Sequence, residues 1–241
     1  MADVPILKAV IMAGGLGTRL APFTKIIPKS LLPVGEQSVL EITIESLRKA
    51  GFLDIYLAVN YKAKLFEAYF EDGSAWGVRI HYSCEKEPLG TAGPLKLLER
   101  ELTEPFLVMN GDILTNLDFG ALRDAHATTG ALLTLVTKVV NLPLHYGVVE
   151  ANGDRITRID EKPVVNAEVN AGIYFMHPRT LGYIPNEKYD MPTLLQELLR
   201  HDERVCRFLL TGSWLDIGQL EDYDRAQDYA KRLGFDRSVD Q

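Results

Sequence analysis

The sequence predicts an α/β protein with a mixed, mostly parallel sheet flanked by helices. In the first half, short apolar and β-branched runs alternate with stretches of helical periodicity, which is typical of βαβ units. After Gly130 the strand-like runs follow one another with little helix between them, which predicts a small β-rich extension. The chain has 241 residues, of which 46% are hydrophobic, so it can bury one core without disulfides. We therefore expect a single Rossmann-like domain.

The predicted elements of the first half begin with a buried strand over Lys8–Ala13. Leu40, Ile44 and Leu47 recur at helical spacing, and Gly51 follows where a helix end favours a residue with positive φ. The remaining segments are strands over Ile55–Asn60, Val78–Ser83 and Phe106–Met109, and helices over Lys64–Phe70 and Thr91–Glu101, the last capped by Thr91.

The predicted elements of the second half are mostly strands. They cover Ala131–Val140, Tyr146–Glu150, Arg155–Asp160 and Val169–Met176. Asn152-Gly153 is a strong signal for a tight turn between the second and third of them. Helices are expected again over Pro192–His201 and Gln219–Leu233. We expect the β-rich extension to cover the carboxyl ends of the first strands.

Composition and charge argue against several classes of protein. The formal net charge is −7, opposite to the basic excess of proteins that bind DNA or RNA. No apolar run approaches the ~20 residues of a membrane span, and an acid stands near the N-terminus where a signal peptide has basic residues. Cys84 and Cys206 form no disulfide framework or metal-ligand spacing, and we interpret them as small buried side chains. The sequence predicts a cytoplasmic protein that binds neither nucleic acid nor membrane.

A glycine-rich loop follows the first predicted strand. It is not a Rossmann fingerprint, because Gly15-Leu-Gly17-Thr-Arg-Leu20 lacks the third glycine, and Arg19 replaces the second glycine of a P-loop. The backbone N–H groups of this loop can donate hydrogen bonds to phosphate oxygens, and Arg19 and Lys29 add two positive charges nearby. This combination is suited to binding a triphosphate. The alternative is a tight turn with two solvated basic residues.

A set of motifs, in order, resembles the sugar-1-phosphate nucleotidyltransferases. The motifs are Ala13-Gly-Gly-Leu-Gly-Thr-Arg-Leu-Ala-Pro-Phe-Thr24, Pro28-Lys-Ser-Leu-Leu-Pro-Val34, Glu85-Lys-Glu-Pro-Leu-Gly-Thr-Ala-Gly93, Asn110-Gly-Asp112, Tyr146-Gly147, Glu161-Lys-Pro163, Asn170-Ala-Gly-Ile-Tyr174 and Trp214-Leu-Asp-Ile-Gly218. The resemblance covers nearly the whole chain. It is closest to the guanylyltransferases that act on mannose 1-phosphate and on other hexose or heptose 1-phosphates.

The resemblance implies the nucleotide-diphospho-sugar transferase fold, which is similar to the GT-A fold, as one domain over residues 1–241. Residues of about 1–130 would bind the nucleotide, about 131–218 would bind the sugar, and a C-terminal helix would cover 219–234. The implied reaction joins a nucleoside triphosphate and a sugar 1-phosphate into a nucleotide sugar and pyrophosphate.

The resemblance also assigns roles to individual residues. Arg19, Lys29 and Asp112 would be catalytic, with Asp112 and Asp216 holding one Mg²⁺. Ala13, Gly14, Gly15, Gly17, Thr18, Glu85, Pro88, Gly90 and Thr91 would bind the nucleotide. Asn110, Gly147, Glu161, Lys162, Asn170 and Gly172 would bind the sugar phosphate. Taken alone, Asp112 could be a turn aspartate, Asp216 a helix N-terminal acid and Glu161-Lys162 an exposed pair.

The identity of the base depends on Glu85. Guanine presents two adjacent donors, and a carboxylate can accept both, whereas an amide suits uracil or thymine better. We therefore expect GTP, with UTP or dTTP as the alternative. Two further alternatives are a transferase for a non-sugar phosphate and a non-catalytic regulatory subunit of the same fold. The sugar remains open, and a homo-oligomer is possible.

Overall fold

The computed structural model describes residues 7–15, 17–60 and 62–233. The strands are β1 (Leu7–Met12), β2 (Pro33–Val34), β3 (Gln37–Ser38), β4 (Phe52–Val59), β5 (Arg79–Cys84), β6 (Phe106–Asn110), β7 (Ile113–Thr115), β8 (Leu133–Pro143), β9 (Val148–Asn152), β10 (Arg155–Asp160), β11 (Val164–Met176), β12 (Val205–Leu209) and β13 (Trp214–Asp216). The helices are α1 (Phe23–Ile26), α2 (Val39–Lys49), α3 (Ala63–Phe70), α4 (Gly93–Lys96), α5 (Phe119–Thr129), α6 (Met191–Arg200) and α7 (Leu220–Leu233).

Seven strands form one central sheet in the order β12-β8-β11-β6-β1-β4-β5. β1 runs parallel to β4 and β6, β4 parallel to β5, and β8 parallel to β12. Only β11 is antiparallel to its neighbours, β6 and β8. The predicted mixed, mostly parallel sheet is therefore confirmed.

Both faces of the sheet are buried, because the central strands are apolar on both sides. On β1, Ala9 and Ile11 belong to one core and Val10 to the other, as alternation along a strand requires. α2, α3 and α5 cover the first face, and α4 and α6 cover the second. The first strand therefore lies at the centre of the molecule, with its carboxyl end held rigidly.

The last strand brings the C-terminal segment to the carboxyl end of β6. β13 pairs antiparallel with β7 in a small separate sheet. The pairing continues one residue beyond β13, because the Ile217 N–H donates a hydrogen bond to the Asp112 carbonyl oxygen at 3.0 Å. Asp112 and Asp216, 104 residues apart, therefore meet at one place.

The β-rich extension differs from its prediction in one respect. β8, β11 and β12 join the central sheet, and only the outer parts of β8 and β11 and the β9–β10 hairpin project beyond it. The predicted turn at Asn152-Gly153 is confirmed, since Gly153 has a φ of 60° between the two strands of that hairpin.

The predicted helix over 91–101, its cap at Thr91 and the predicted burial of Cys84 were wrong, and one helix was not predicted. The helix over 91–101 is α4 alone, and Thr91 does not cap it, because its hydroxyl group contacts Asp190 and the Met191 N–H instead. α5, capped by the Asp118 side chain, was not predicted. Cys84 is exposed rather than buried.

Gly234, the last residue of the predicted C-terminal helix, lies outside the described residues. None of the described helices is both long and apolar enough to span a bilayer.

Candidate active site

The glycine loop lies at the carboxyl end of β1, where open α/β sheets bind ligands. The Asn60 side-chain amide, at the end of β4, donates to the Gly14 carbonyl oxygen. Gly17 has a φ of 61°, which favours glycine, and the Thr24 hydroxyl group donates to its carbonyl oxygen at 2.7 Å. Two neighbouring segments thus hold the loop at both ends.

A cavity of about 340 Å³ opens beside this loop, and we call it the loop cavity. Its lining includes seven residues predicted to bind substrate, namely Gly14, Gly15, Glu85, Pro88, Gly90, Thr91 and Asn110, and the predicted catalytic and metal-binding Asp112. Ala13 is buried at the end of β1, Thr18 is exposed, and Gly17 packs near Lys29, so these three lie outside the lining.

A second cavity of about 210 Å³ adjoins the first, and we call it the strand cavity. It is lined by Asn170, Gly172, Trp214 and Asp216 and shares Thr91 and Asn110 with the loop cavity. Each cavity therefore contains one of the two predicted metal-binding aspartates.

Lys29 links the two aspartates. Its ammonium group pairs with Oδ2 of Asp112 and lies 3.7 Å from Oδ1 of Asp216. The Lys29 side chain is only 13% exposed, so this charge is fixed within the site. The Oδ1 atoms of both aspartates are buried and have no hydrogen-bond partner among the described residues.

Burial raises the pKa of Asp216, and the nearby charge of Asp112 raises it further. Lys29 and Arg19 oppose both effects. The ionised pair is therefore held at an electrostatic cost that an added cation would relieve.

The two unpartnered carboxylate oxygens fit a divalent cation. The described residues contain no group of three or more His, Cys, Asp or Glu side chains arranged for a metal. Mg²⁺ does not need one, because it is typically bound by one or two carboxylates together with substrate phosphates and water. Asp112 and Asp216 are thus suited to an ion that arrives with a phosphate substrate.

Glu85 has a structural contact that the sequence did not predict. Its Oε2 accepts the Leu89 N–H at 2.8 Å, which closes the turn after β5. Its Oε1 faces the glycine loop, where a Cβ added at Gly14 would lie 2.6 Å away. Burial raises the pKa of this carboxyl, and the Leu89 hydrogen bond partly offsets the effect. The other carboxylate oxygen therefore lies against Gly14, and both residues line the loop cavity.

In the strand cavity, Gly172 allows close approach of two segments. Gly172 has a φ of 71°, and a Cβ there would lie 2.6 Å from the Asn110 amide nitrogen. The Asn170 side chain accepts the Gly172 N–H at 2.8 Å and donates to the Tyr174 hydroxyl oxygen at 2.7 Å. Asn110, Asn170 and Gly172, all predicted site residues, are therefore brought together.

Four predicted residues lie apart from the two cavities. Arg19 is exposed, and its guanidinium would be 3.9 Å from a Cβ added at Gly218. Glu161 and Lys162 are exposed in the turn after β10. A Cβ added at Gly147 would lie 3.0 Å from Oε2 of Glu161, so these two residues are neighbours. None of the four lines the loop cavity or the strand cavity.

Comparison with known proteins decides the family. Residues 8–232 match the family described as Nucleotidyl transferase. The chain belongs to this nucleotidyl transferase family.

Individual relatives agree with this membership. The mannose-1-phosphate guanyltransferase of Debaryomyces hansenii is 38% identical over 226 residues, which cover 90% of this chain and 62% of the relative. The crystal structure of HddC from Yersinia pseudotuberculosis complexed with GMP-PN is 25% identical with a TM-score of 0.72 and covers 92% of this chain and 99% of that chain. UDP-glucose pyrophosphorylase from Acinetobacter baumanii shares the fold, with a TM-score of 0.72 and 19% sequence identity. The match covers 94% of this chain and 93% of that chain. The chain spans about three fifths of the length of its curated relatives.

The contact between Thr91 and Asp190 in this nucleotidyl transferase was not predicted from the sequence. Oδ1 of Asp190 accepts the Thr91 N–H at 3.0 Å and its hydroxyl group at 3.3 Å, while the Thr91 oxygen accepts the Met191 N–H at 2.8 Å. The Tyr189 carbonyl oxygen accepts two N–H groups at the start of α4. Asp190 precedes Pro192, a signal for a helix start, but no local pattern indicates that it contacts a loop 99 residues earlier.

Trp214 is a second residue whose role is visible only in the fold. Its indole N–H donates to the Ala171 carbonyl oxygen at 2.9 Å, which ties the strand before Asp216 to the segment of Asn170 and Gly172. The sequence predicted a core anchor here, and the side chain also lines the strand cavity.

A further cavity lies elsewhere in this nucleotidyl transferase. It measures about 630 Å³ and is lined by Asn116, Lys138, Gly212 and Arg225 among others. The Lys138 ammonium donates to the Gly212 carbonyl oxygen at 2.6 Å, so its charge serves the loop before β13. Neither aspartate of the candidate site lines this cavity.

Proposed function

We propose that the chain transfers GMP from GTP to a sugar 1-phosphate and releases pyrophosphate. The observation that carries the proposal is the pair of adjoining cavities, each with one carboxylate of the Lys29, Asp112 and Asp216 cluster. This arrangement suits two phosphate-bearing substrates that must meet at one cationic centre.

In the proposed reaction, an oxygen of the sugar phosphate forms a bond to the α-phosphorus of the triphosphate, and the bond to pyrophosphate breaks. The attacking phosphate needs no base, because its second pKa is ~6 and it is largely dianionic near neutral pH. The protein contributes alignment and charge neutralisation. We propose that Lys29 holds the triphosphate and that Arg19, which is exposed outside the two cavities, neutralises the leaving pyrophosphate.

Asp112 and Asp216 are proposed to hold Mg²⁺. When bound there, Mg²⁺ would supply positive charge to the phosphate oxygens and bring the two substrates together. The two buried Oδ1 atoms without hydrogen-bond partners support this assignment.

The proposal of GTP rests on Glu85 and on the relatives. Glu85 lines the loop cavity with Oε1 beside Gly14, where it could accept a guanine donor, while Oε2 keeps a lone pair beside its bond to Leu89. The curated relatives are named for guanylyl transfer to mannose 1-phosphate, and one structural relative is complexed with GMP-PN. Mannose 1-phosphate is accordingly the first acceptor to test.

The division of the domain follows the cavities in this proposal. Residues 1–130 would supply the loop cavity, residues 131–218 most of the strand cavity, and residues 219–234 the C-terminal helix. Asn110 and Thr91 line both cavities, so the two cavities have part of their wall in common.

The test is a panel of GTP, UTP, dTTP, CTP and ATP against sugar 1-phosphates with Mg²⁺, with pyrophosphate release as the readout. The expected result is preferred release from GTP with a hexose 1-phosphate, and little release without an acceptor. A regulatory subunit would instead bind a nucleotide by calorimetry and release no pyrophosphate with any pair. That outcome, or release only with a non-sugar phosphate, would overturn the proposal.

The sugar-phosphate end is tested through Glu161 and Lys162. We propose that Glu161 accepts sugar hydroxyl groups and that Lys162 pairs with the sugar phosphate. Glu161→Ala and Lys162→Ala are then expected to raise KM for sugar 1-phosphate ~10-fold, as loss of a charge-assisted hydrogen bond predicts, and to leave KM for the triphosphate nearly unchanged. Arg155→Ala, in the same hairpin, is the control. An effect confined to the triphosphate KM would contradict the assignment.

A further inference from the structure

Two side chains that follow β4 contact opposite ends of the glycine loop. The Asn60 amide donates to the Gly14 carbonyl oxygen, and the Lys62 ammonium donates to the Thr24 carbonyl oxygen. Gly14 and Thr24 are ten residues apart in the sequence. The segment between β4 and α3 therefore holds both ends of the loop that follows β1.

Thr24 carries the contact with Lys62 into the glycine loop. Its side chain is buried, and its hydroxyl group donates to the Gly17 carbonyl oxygen at 2.7 Å. A Cβ added at Gly17 would lie 2.9 Å from Cγ2 of Thr24 and 3.2 Å from Cβ of Lys29. The same Gly17 carbonyl oxygen accepts the Leu20 N–H at 2.9 Å. A displacement of Thr24 would therefore disturb the turn at Gly17, beside the cation of the candidate site.

Lys62 is placed to act on the loop rather than on a substrate. Its side chain is half-buried, and it lines neither the loop cavity nor the strand cavity. A hydrogen bond from an ionised donor is about twice as strong as one between neutral groups. The contact with Thr24 therefore uses a charge to fix a backbone position.

The glycine loop needs such support, because Gly14, Gly15 and Gly17 have no side chains to restrict their backbone. Glycine loses more conformational freedom on ordering than any other residue. A loop that is ordered before its ligand arrives avoids this entropy cost on binding, so its affinity is higher. In this chain the order comes in part from the side chains of other segments.

We propose that Lys62 is a positioning residue, which acts through Thr24 to hold the glycine loop ready for the triphosphate. The inference rests on the proposed function for the role of the loop, and it assigns Lys62 no contact with the substrate. The expected signature is a lower affinity for the triphosphate without a slower chemical step. Binding of the sugar 1-phosphate should not depend on Lys62.

The kinetic test compares Lys62→Met with Lys62→Arg. Methionine keeps an unbranched apolar stem and lacks the charge, so KM for GTP is expected to rise ~10-fold, as loss of one charge-assisted hydrogen bond predicts. The values of kcat and of KM for the sugar 1-phosphate are expected to stay near those of the wild type. Arginine keeps a charged donor and should restore KM for GTP.

The matched control is Lys64→Met, which removes the same charge from an exposed residue of α3, two positions further along the chain. Its KM for GTP is expected to equal that of the wild type. An unchanged KM for GTP in Lys62→Met, or an equal rise in Lys64→Met, would overturn the inference.

A double variant separates positioning from direct contact with the triphosphate. Thr24→Val removes the hydroxyl group that bonds to Gly17 and keeps the shape of the buried side chain. If Lys62 acts through Thr24, the double variant should have a KM for GTP close to that of the weaker-binding single variant, because both changes interrupt one chain of contacts. Increases that multiply would show that Lys62 acts independently of Thr24, and would contradict the proposal.

Hydrogen exchange without nucleotide tests the positioning role apart from the proposed function. The Leu20 amide, which donates to the Gly17 carbonyl oxygen, is expected to exchange faster in Lys62→Met than in the wild type, while the amides of β5 stay unchanged. Equal exchange at Leu20 in the two proteins would refute the role of Lys62. Faster exchange in a chain that releases no pyrophosphate with any substrate pair would support the positioning role and refute the proposed function alone.

Discussion

Asp112 and Asp216 each have one buried carboxylate oxygen, Oδ1. Neither Oδ1 atom accepts a hydrogen bond from any of the described residues. Leaving a buried acceptor unsatisfied costs about 1–3 kcal/mol. Lys29 compensates part of this cost and leaves the Oδ1 atoms free of hydrogen bonds. A cation that binds with the substrate would give both Oδ1 atoms a partner, and so would offset the remaining free-energy cost.

The first residue-scale prediction concerns these two aspartates. Asp112→Asn and Asp216→Asn each replace a charged oxygen ligand with an amide of the same shape, so pyrophosphate release is expected to fall by ~100-fold or more. Without divalent cations Asp216→Asn should melt no lower than the wild type, because repulsion between the carboxylates is removed while the pair between Lys29 and Asp112 is kept. Asp118→Asn, which keeps the N-cap of α5, is the control for loss of one acid. Near-normal turnover by a folded Asp112→Asn protein would refute the metal assignment.

The second residue-scale prediction concerns the base. In Glu85→Gln, the side-chain oxygen can still accept the Leu89 N–H, so the turn should persist. The amide nitrogen then faces the donors of guanine, and losing a partner there costs ~1–3 kcal/mol. We expect kcat/KM for GTP to fall about tenfold or more relative to that for UTP. An unchanged ratio in the variant, measured on the same acceptor, would show that Glu85 does not contact the base.

At the scale of elements, the loop before α4 is held by the N-terminus of α6. Thr91 and Asp190 form the junction, and Thr91 lines both cavities. A loosened junction should therefore affect the binding of both substrates.

The matched pair Thr91→Val and Thr91→Ser tests this junction. Valine keeps the shape but leaves the Met191 N–H without its acceptor, so we expect KM for both substrates to rise ~10-fold, the equivalent of one lost hydrogen bond. Serine keeps the hydroxyl group and should behave like the wild type. Steady-state kinetics of the two variants give the comparison, and equal KM values would show that the junction is dispensable.

Elements with a strong local pattern were predictable from the sequence. α2 was found from Leu40, Ile44 and Leu47, all of which are buried against the sheet. α5 was missed because its buried face includes a histidine, His126, which weakens the apolar periodicity. The error at Thr91 came from a partner 99 residues away, which no local pattern can reveal.

The same distinction applies to the candidate site. The positions of the glycine loop after β1 and of Asp112 after β6 were predictable, because parallel strands share one carboxyl edge. The position of Asp216, on the antiparallel β13, followed only from the family resemblance. The bond from Leu89 to Glu85 and the contact of Asp190 depend on how loops fold back, so the sequence predicted neither.

At the scale of the whole molecule, one buried histidine links acid sensitivity to the fold. His126 is 4% exposed, lies 2.9 Å from the Thr134 hydroxyl oxygen and packs on Phe175. Burial lowers its pKa, and His177 lowers it further. The unfolded chain therefore binds a proton at this residue at a higher pH than the folded chain does.

The expected consequence is a free energy of unfolding that falls as pH drops below ~6.5, the unfolded value of histidine, and continues to fall until the lowered pKa is reached. In that window His126 contributes a slope of up to ~1.4 kcal/mol per pH unit. His126→Asn, which can still bind Thr134, should reduce the slope. Urea unfolding at several pH values measures both proteins, and identical slopes would show that His126 stays neutral in both states.

The pairing of β13 with β7 also orders events during synthesis. Asp112 leaves the ribosome about a hundred residues before Asp216 does, and the glycine loop and Lys29 leave it earlier still. A nascent chain can thus assemble the centre of the sheet and the loop cavity while it still has only one of the two carboxylates. In the proposed assignment, the cation site is complete only when the final strand docks. A chain interrupted before residue 214 would then keep most of its core and lack the proposed site.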